Sequence, residues 1–422
     1  MTALSTSLLP DTAEFGEGRL SLGGCEVLDL AEEFGTPLFV YDEAHLRARC
    51  REAVAAFGDG VAYATKAFLC RAMGRLAHEE GMQLDVATGG EIAVALAAGV
   101  PADRLIFHGN NKSPEELSDA LFAGVGSVVV DSFEEIDRIE AIVAGGAAPP
   151  RASIRVNPGV DAHTHEYLKT GKADSKFGFG LVSGAATEAV ARAAGSAAIE
   201  LVGVHAHIGS QVFDAESFRR AVHELAPFVV PLDLPDFSIG GGLGVAYVEG
   251  ESAPTITEWA AVVVEAAREA GIRSRILAEP GRAIVAAAAV TLYTVGTIKQ
   301  IPDVRTYIAV DGGMSDNPRP VLYGSGYEAF LPRTTDAERD RPVRIVGKHC
   351  ESGDIIVHEA LVPSDVVVGD VLATPVTGAY GHAMGSNYNM ALRPPVVFVG
   401  GGQAKLVVRR ETYDDVLTRD VG

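Results

Sequence analysis

Hydrophobic and polar positions along this chain keep two different rhythms, and the change between them divides it. From residue 61 onward, short apolar runs alternate with longer Ala-, Glu- and Arg-rich stretches of helical period. The runs at 61–66, 83–87, 105–108, 127–131, 152–157, 201–207, 237–241 and 275–279 read as strands. Helical stretches follow them, at 90–98, 114–123, 133–144, 185–194, 215–228 and 256–270. Eight strands each followed by a helix or turn predict an α/β fold built on a (β/α)8, TIM-like barrel. An open doubly wound sheet fits the same alternation, and only the count favours closure. From about residue 283 the pattern becomes rich in Val and Thr, with short runs at 290–298, 306–310, 344–347, 354–361, 371–374, 396–398 and 404–409. These predict a β-rich C-terminal domain. The expected division is an N-terminal segment, 1–35, that pairs with the β domain through its alternating run at 20–27; a barrel, 36–283; and the β domain, 284–422.

Composition narrows the class. With 422 residues, 47% hydrophobic and 22% charged, the chain is globular and long enough for a barrel with an appendage. Its 35 basic against 56 acidic residues give a net charge of -21, which repels nucleic acid and anionic membrane surfaces. No apolar run reaches membrane-spanning length, and the first residues lack a basic start and long apolar core, so a cytoplasmic protein is expected. Cys25, Cys50, Cys70 and Cys350 are far apart, which suggests neither a disulfide framework nor a zinc site.

Candidate chemistry gathers at the predicted strand ends. Lys66, His108, Asn157, His207, the Gly240-Gly241-Gly242 turn and Glu279 all fall at C-terminal ends, the face where barrel enzymes keep their active sites. Lys66 closes an apolar run. Desolvation there favours a neutral amine, which condenses with aldehydes, so pyridoxal phosphate is the first cofactor to test; a lysine that snorkels to water is the competing reading. The glycine turn and the His207-Ile208-Gly209-Ser210-Gln211 loop could together present N–H and hydroxyl groups to a phosphate. His205 and His207, like His163 and His165, form His-x-His pairs without further ligands at a suitable spacing, so no metal is expected. Alternation along a strand points His205 and His207 the same way. Glu279-Pro280-Gly281-Arg282 offers a carboxylate for a pyridine nitrogen and a guanidinium for a substrate carboxylate, or else a structural ion pair. Cys350 sits in the charged turn Lys348-His349-Cys350-Glu351-Ser352-Gly353-Asp354, a poor setting for a buried apolar cysteine, and is a candidate proton donor or nucleophile.

Taken in order, these motifs resemble one family over about residues 36–415: the fold-type III pyridoxal-phosphate decarboxylases, in particular the branch acting on diaminopimelate. The resemblance is carried by Tyr63 to Phe68, His108 to Ser113, Ser175 to Gly178, His207 to Gln211, Gly240 to Gly244, Glu279 to Arg282, Asp311 to Pro320, His349 to Asp354, Gly378 to Tyr380 and Ser386 to Asn389. It implies pyridoxal 5'-phosphate as cofactor and decarboxylation of meso-diaminopimelate to lysine as the last step of lysine biosynthesis. It also implies roles. Lys66 would anchor the cofactor, with Glu279 at the pyridine nitrogen, His207 stacked on the ring, and Ser210, Gly241, Gly242 and Tyr380 about the phosphate; Asp85, Gly281 and Arg282 complete the cofactor set. Arg282, Arg319, Tyr323 and Tyr380 would face the substrate, Glu351 would read its distal amine, and Cys350 would reprotonate the carbanion. Cys350 and Glu351 would act in the neighbouring subunit of a homodimer with shared sites. A decarboxylase for ornithine or a lysine-like amino acid, a racemase, and a non-catalytic pyridoxal-phosphate-binding barrel are the competing readings.

Overall fold

The computed structural model describes residues 6–159 and 175–422, so the His163 and His165 pair lies outside the described residues. The chain divides into two compact units: Arg49–Val245 with Ala253–Ala283, and Met1–Ala48 with Ala246–Ser252 and Ile284–Gly422.

The first unit is the barrel. Its strands, Ala62–Ala64, Gln83–Val86, Leu105–Phe107, Ser127–Val130, Arg151–Asn157, Glu200–Ala206, Asp236–Ser238 and Arg275–Leu277, pair in parallel in sequence order. The last meets the first through a parallel bridge between Val61 and Ala278, where the Ala62 N–H donates to the Ala278 carbonyl at 2.9 Å and the Ala64 N–H to the Pro280 carbonyl at 3.2 Å. Closure excludes the open sheet. The strands are short and largely buried, as expected where side chains fill a barrel on one face and meet helices on the other. Helices begin where the sequence caps them: Ser113 with Glu116 and Thr255 with Glu258 form reciprocal capping boxes. The single tryptophan, Trp259, is fully buried between the rings of Phe57 and Phe218, at 5.1 and 5.3 Å, and ties neighbouring helices together.

In the second unit one mixed sheet runs in the order Ile355–Val362, Arg341–Val346, Arg305–Val310, Ala289–Ile301, Leu38–Asp42, Val396–Gly400 and Gln403–Val408, with Val371–Pro375 also on Ala289–Ile301. A small sheet of Glu14–Gly16, Arg19–Leu22 and Cys25–Glu26 lies in the same unit, and Leu20, Leu22 and Val27 share a core with Val40, Leu292 and Val397. The N-terminal part of this unit runs to Ala48, beyond the expected limit at residue 35. The reason is the strand Leu38–Asp42, buried at every position, which pairs antiparallel with Ala289–Ile301 and parallel with Val396–Gly400. Among the described residues, no helix is long and apolar enough to cross a membrane.

Candidate active site

At the C-terminal end of the barrel strands the chain turns sharply, and each turn leaves a polar group behind. The first strand ends at Ala64, and the 3-10 turn Thr65–Ala67 leaves Lys66 exposed there. Asp85 is in the second strand, buried, and His108 follows the third. Pro280 has no N–H to extend the ladder, so the last strand stops and releases Glu279, Gly281 and Arg282.

Glu279 is the centre of a buried polar cluster. It is 7% exposed, and its carboxylate takes hydrogen bonds from His205 Nε2 at 2.9 Å and Ser238 Oγ at 2.8 Å, while His108 Nε2 stands 3.6 Å away. Burial works against its charge. The His205 and His108 rings and the two hydrogen bonds outweigh burial, and the carboxyl is held below its ordinary range. Asp85 goes the other way: burial, then the negative charge of Glu279, push it up to about 8, with Lys66 opposing. Below that pH the pair carries one negative charge, on Glu279.

His207 lies one residue beyond its strand. His205 bonds to Glu279 at 2.9 Å, whereas His207 Nδ1 accepts a hydrogen bond from the Gly241 N–H at 3.2 Å. Burial, then the charges of Lys66 and Arg155, hold His207 well below the usual histidine range, so the ring is neutral, with its proton on Nε2. His108 is held low chiefly by burial as well. His108, His205 and Glu279 bring their ligand atoms within 4.8 Å of one another, the third partner that the sequence spacing lacked. The 2.9 Å bond between His205 and Glu279 already engages two of the three.

The glycine turn must be glycine. A Cβ on Gly241 would lie 2.2 Å from the Glu279 carbonyl oxygen, and one on Gly242 2.2 Å from that of Gly209. Beside it an Arg282 Nη2–H donates to Ser210 Oγ at 2.9 Å. An amine, a buried ionised carboxylate, a neutral imidazole and a bare-backbone turn next to a hydroxyl and a guanidinium fit a pyridine ring that carries an aldehyde and a phosphate.

The remaining predicted residues belong to the other unit, in two places. Arg319 and Tyr323 share the short helix Arg319–Tyr323, and Arg319 interacts electrostatically with Tyr380, which holds a left-handed φ of 59°. Cys350 and Glu351 are exposed on a separate turn. Cys350 lines a cavity of about 750 Å³ with Lys348, His349, Asp316 and Arg410, and neither Arg319, Tyr323 nor Tyr380 lines it. Asp354 fastens this turn: its carboxylate accepts from the His349 N–H at 2.8 Å and the Met314 N–H at 2.6 Å. Sequence reasoning gave no site role to Ser238 or Asp354 and placed His108 on the catalytic face without a partner; the meeting of Glu279, after the eighth strand, with His205 in the sixth and His108 after the third depends on closure of the barrel.

Comparison with known proteins points the same way. Residues 43–286 match the family model for the pyridoxal binding domain of pyridoxal-dependent decarboxylases. The chain is 46% identical over 426 residues to diaminopimelate decarboxylase of Mycobacterium tuberculosis, covering 96% of this chain and 95% of that protein. It is 45% identical over 424 residues to the Bacillus subtilis protein of the same name, with coverages of 96% and 95%. Among solved structures, diaminopimelate decarboxylase from M. jannaschii in co-complex with L-lysine is similar with a TM-score of 0.91 and 33% identity over 98% of both chains.

Proposed function

The chain belongs to the diaminopimelate decarboxylases, pyridoxal-phosphate-dependent carboxy-lyases, and we propose how its own residues divide the conversion of meso-2,6-diaminopimelate to L-lysine and carbon dioxide. The observation that carries the reading is the buried Glu279 carboxylate, held by His205 and Ser238 at the barrel end beside His207 and the bare-backbone Gly241–Gly242 turn. Pyridoxal 5'-phosphate, when bound, supplies a protonated ring that takes up the electron pair left as carbon dioxide departs.

In this assignment the barrel supplies most of the cofactor groups and the β unit most of the substrate groups. Lys66 holds the cofactor. Glu279 keeps the ring nitrogen protonated, which an ionised carboxylate can do and a neutral one cannot. His207, neutral and fixed by Gly241, would face the ring without adding charge. Ser210, Gly241, Gly242 and Tyr380 would hold the phosphate, and Asp85, Gly281 and Arg282 would complete the cofactor set. Arg282, Arg319, Tyr323 and Tyr380 take the substrate, its carboxylates on the guanidinium forks, and Glu351 takes the distal amine. The Cys350 thiol gives its proton to the carbon that lost its carboxylate, and the thiolate recovers one from solvent.

Cys350 and Glu351 act in a second copy of the chain, forming a head-to-tail homodimer with shared sites; the exposure of both residues on their turn supports this. The protein works in the cytoplasm. The competing substrate is ornithine or a lysine-like amino acid. Cofactor-loaded protein given equal meso-diaminopimelate and ornithine is expected to consume the former; preferential loss of ornithine would replace the assignment.

A further inference from the structure

Arg319 is a cation in a costly position. It is 4% exposed, and among the described residues no carboxylate pairs with it. A buried guanidinium ordinarily requires a counter-ion or a full set of acceptors. Here two phenol rings take that place. The guanidinium carbon lies 4.0 Å from the Tyr247 ring centre and 5.4 Å from that of Tyr327, and an Nη1–H donates to the Tyr327 hydroxyl. The rings meet edge to face at 5.3 Å. Arg319 Nε–H has no acceptor among the described residues. Burial acts to discharge the group, but Tyr247, Tyr327 and Tyr380 outweigh it, and it stays charged.

The chain goes out of its way to build this. Tyr247 is on the segment Ala246–Ser252, which belongs to the β unit although the residues on both sides belong to the barrel. The segment is held in place: the Tyr247 N–H donates to Glu251 at 2.8 Å, the Glu249 N–H to Glu328 at 3.2 Å, and Arg339 pairs with Glu249 at 2.8 Å. A carboxylate partner would fix the fork but neutralise it. Aromatic faces attract a planar cation through the ring quadrupole and leave its charge in force. The N–H groups not used by Tyr327 stay available to an arriving anion.

We propose that Tyr247 and Tyr327 are positioning residues that keep Arg319 oriented and unneutralised for a carboxylate of the substrate, and thereby set the preference for ligands that keep a second carboxylate over diamines that have none. This rests on the assignment of Arg319 to the substrate.

The test measures dissociation constants of L-lysine, which keeps one carboxylate, and of cadaverine, which has none, for the cofactor-loaded protein. Tyr247→Leu and Tyr327→Phe are expected to weaken lysine by about five- to tenfold, in line with the loss of a desolvated cation–π contact or hydrogen bond, and to leave cadaverine within about twofold. Tyr247→Phe keeps the ring and is expected to bind lysine like the parent. With meso-diaminopimelate the two disruptive variants should raise KM while kcat changes little. Equal weakening of both ligands, or none, overturns the inference. Arg319→Met separates the two layers: unchanged lysine binding in that variant sinks the assignment of Arg319 itself, whereas weakening there but not in the tyrosine variants sinks only the positioning role. Should Tyr247→Leu not fold, Tyr327→Phe, which removes a single oxygen atom, decides.

Discussion

Glu279 and Asp85 sit in the same buried setting yet end with opposite protonation, and the difference is in their partners. Glu279 receives hydrogen bonds from His205 and Ser238, whereas Asp85 meets the charge of Glu279. Glu279→Gln removes that charge, so kcat is expected to fall by about 100-fold or more, the scale of a lost transition-state electrostatic contact, and the Asp85 carboxyl to move back toward its usual value. Steady-state kinetics and a pH titration of the cofactor's visible band check both. A kcat within a factor of about three would remove Glu279 from its role. Asp316, buried near Cys350, is pushed up to about 7 by burial, with the Gly313 N–H opposing. The folded chain therefore holds a proton that the unfolded chain has released between its ordinary value of 3.8 and about 7, so this group's contribution makes stability fall as pH rises through that window. Asp316→Asn should flatten the fall, read as unfolding free energies by denaturant at pH 4.5 and 7.5; an unchanged slope would contradict the shift. At this scale much of the site was legible: Lys66, Glu279 and Cys350 each stood out because their residue type clashes with the neighbouring pattern. His205 and His108 did not, since their meeting with Glu279 depends on barrel register rather than on local sequence.

Elements explain why the site is placed where it is. The Gly240–Gly242 turn brings backbone so close to neighbouring turns that a side chain at Gly241 would strike the Glu279 carbonyl. Gly241→Ala is therefore expected to cost about 1–3 kcal/mol by overpacking and to weaken cofactor binding. Thermal melts with and without pyridoxal 5'-phosphate measure this; an unaltered melting temperature and affinity would show that the turn yields. The barrel strands were legible because apolar runs and helical stretches alternate at regular spacing. The strand Leu38–Asp42 was not, because its pairing partners begin at Ala289 and Val396 and its all-buried pattern carries no alternation to show which sheet it joins. Tyr247 was likewise invisible: nothing in a loop sequence between two barrel elements says that its ring will join the β unit and stack on Arg319.

For the whole molecule, Lys66 belongs to one unit and Cys350 to the other, and the proposed reaction joins them across two copies of the chain. Mixing Lys66→Ala and Cys350→Ala proteins should recover about a quarter of parental activity, since half of exchanged dimers are hybrids with one intact site each. No recovery after verified exchange would mean that each chain builds its own site. The fold class was readable from periodicity, but the assembly is not a property of one chain's pattern and entered only through resemblance. The most direct test is where the cofactor attaches. Borohydride reduction of the loaded protein, followed by peptide mapping, should place the cofactor's mass on the peptide containing Lys66 and nowhere else. Mass on another lysine, such as Lys112, which is buried and paired with Glu135, or no trapped mass at all, would contradict it.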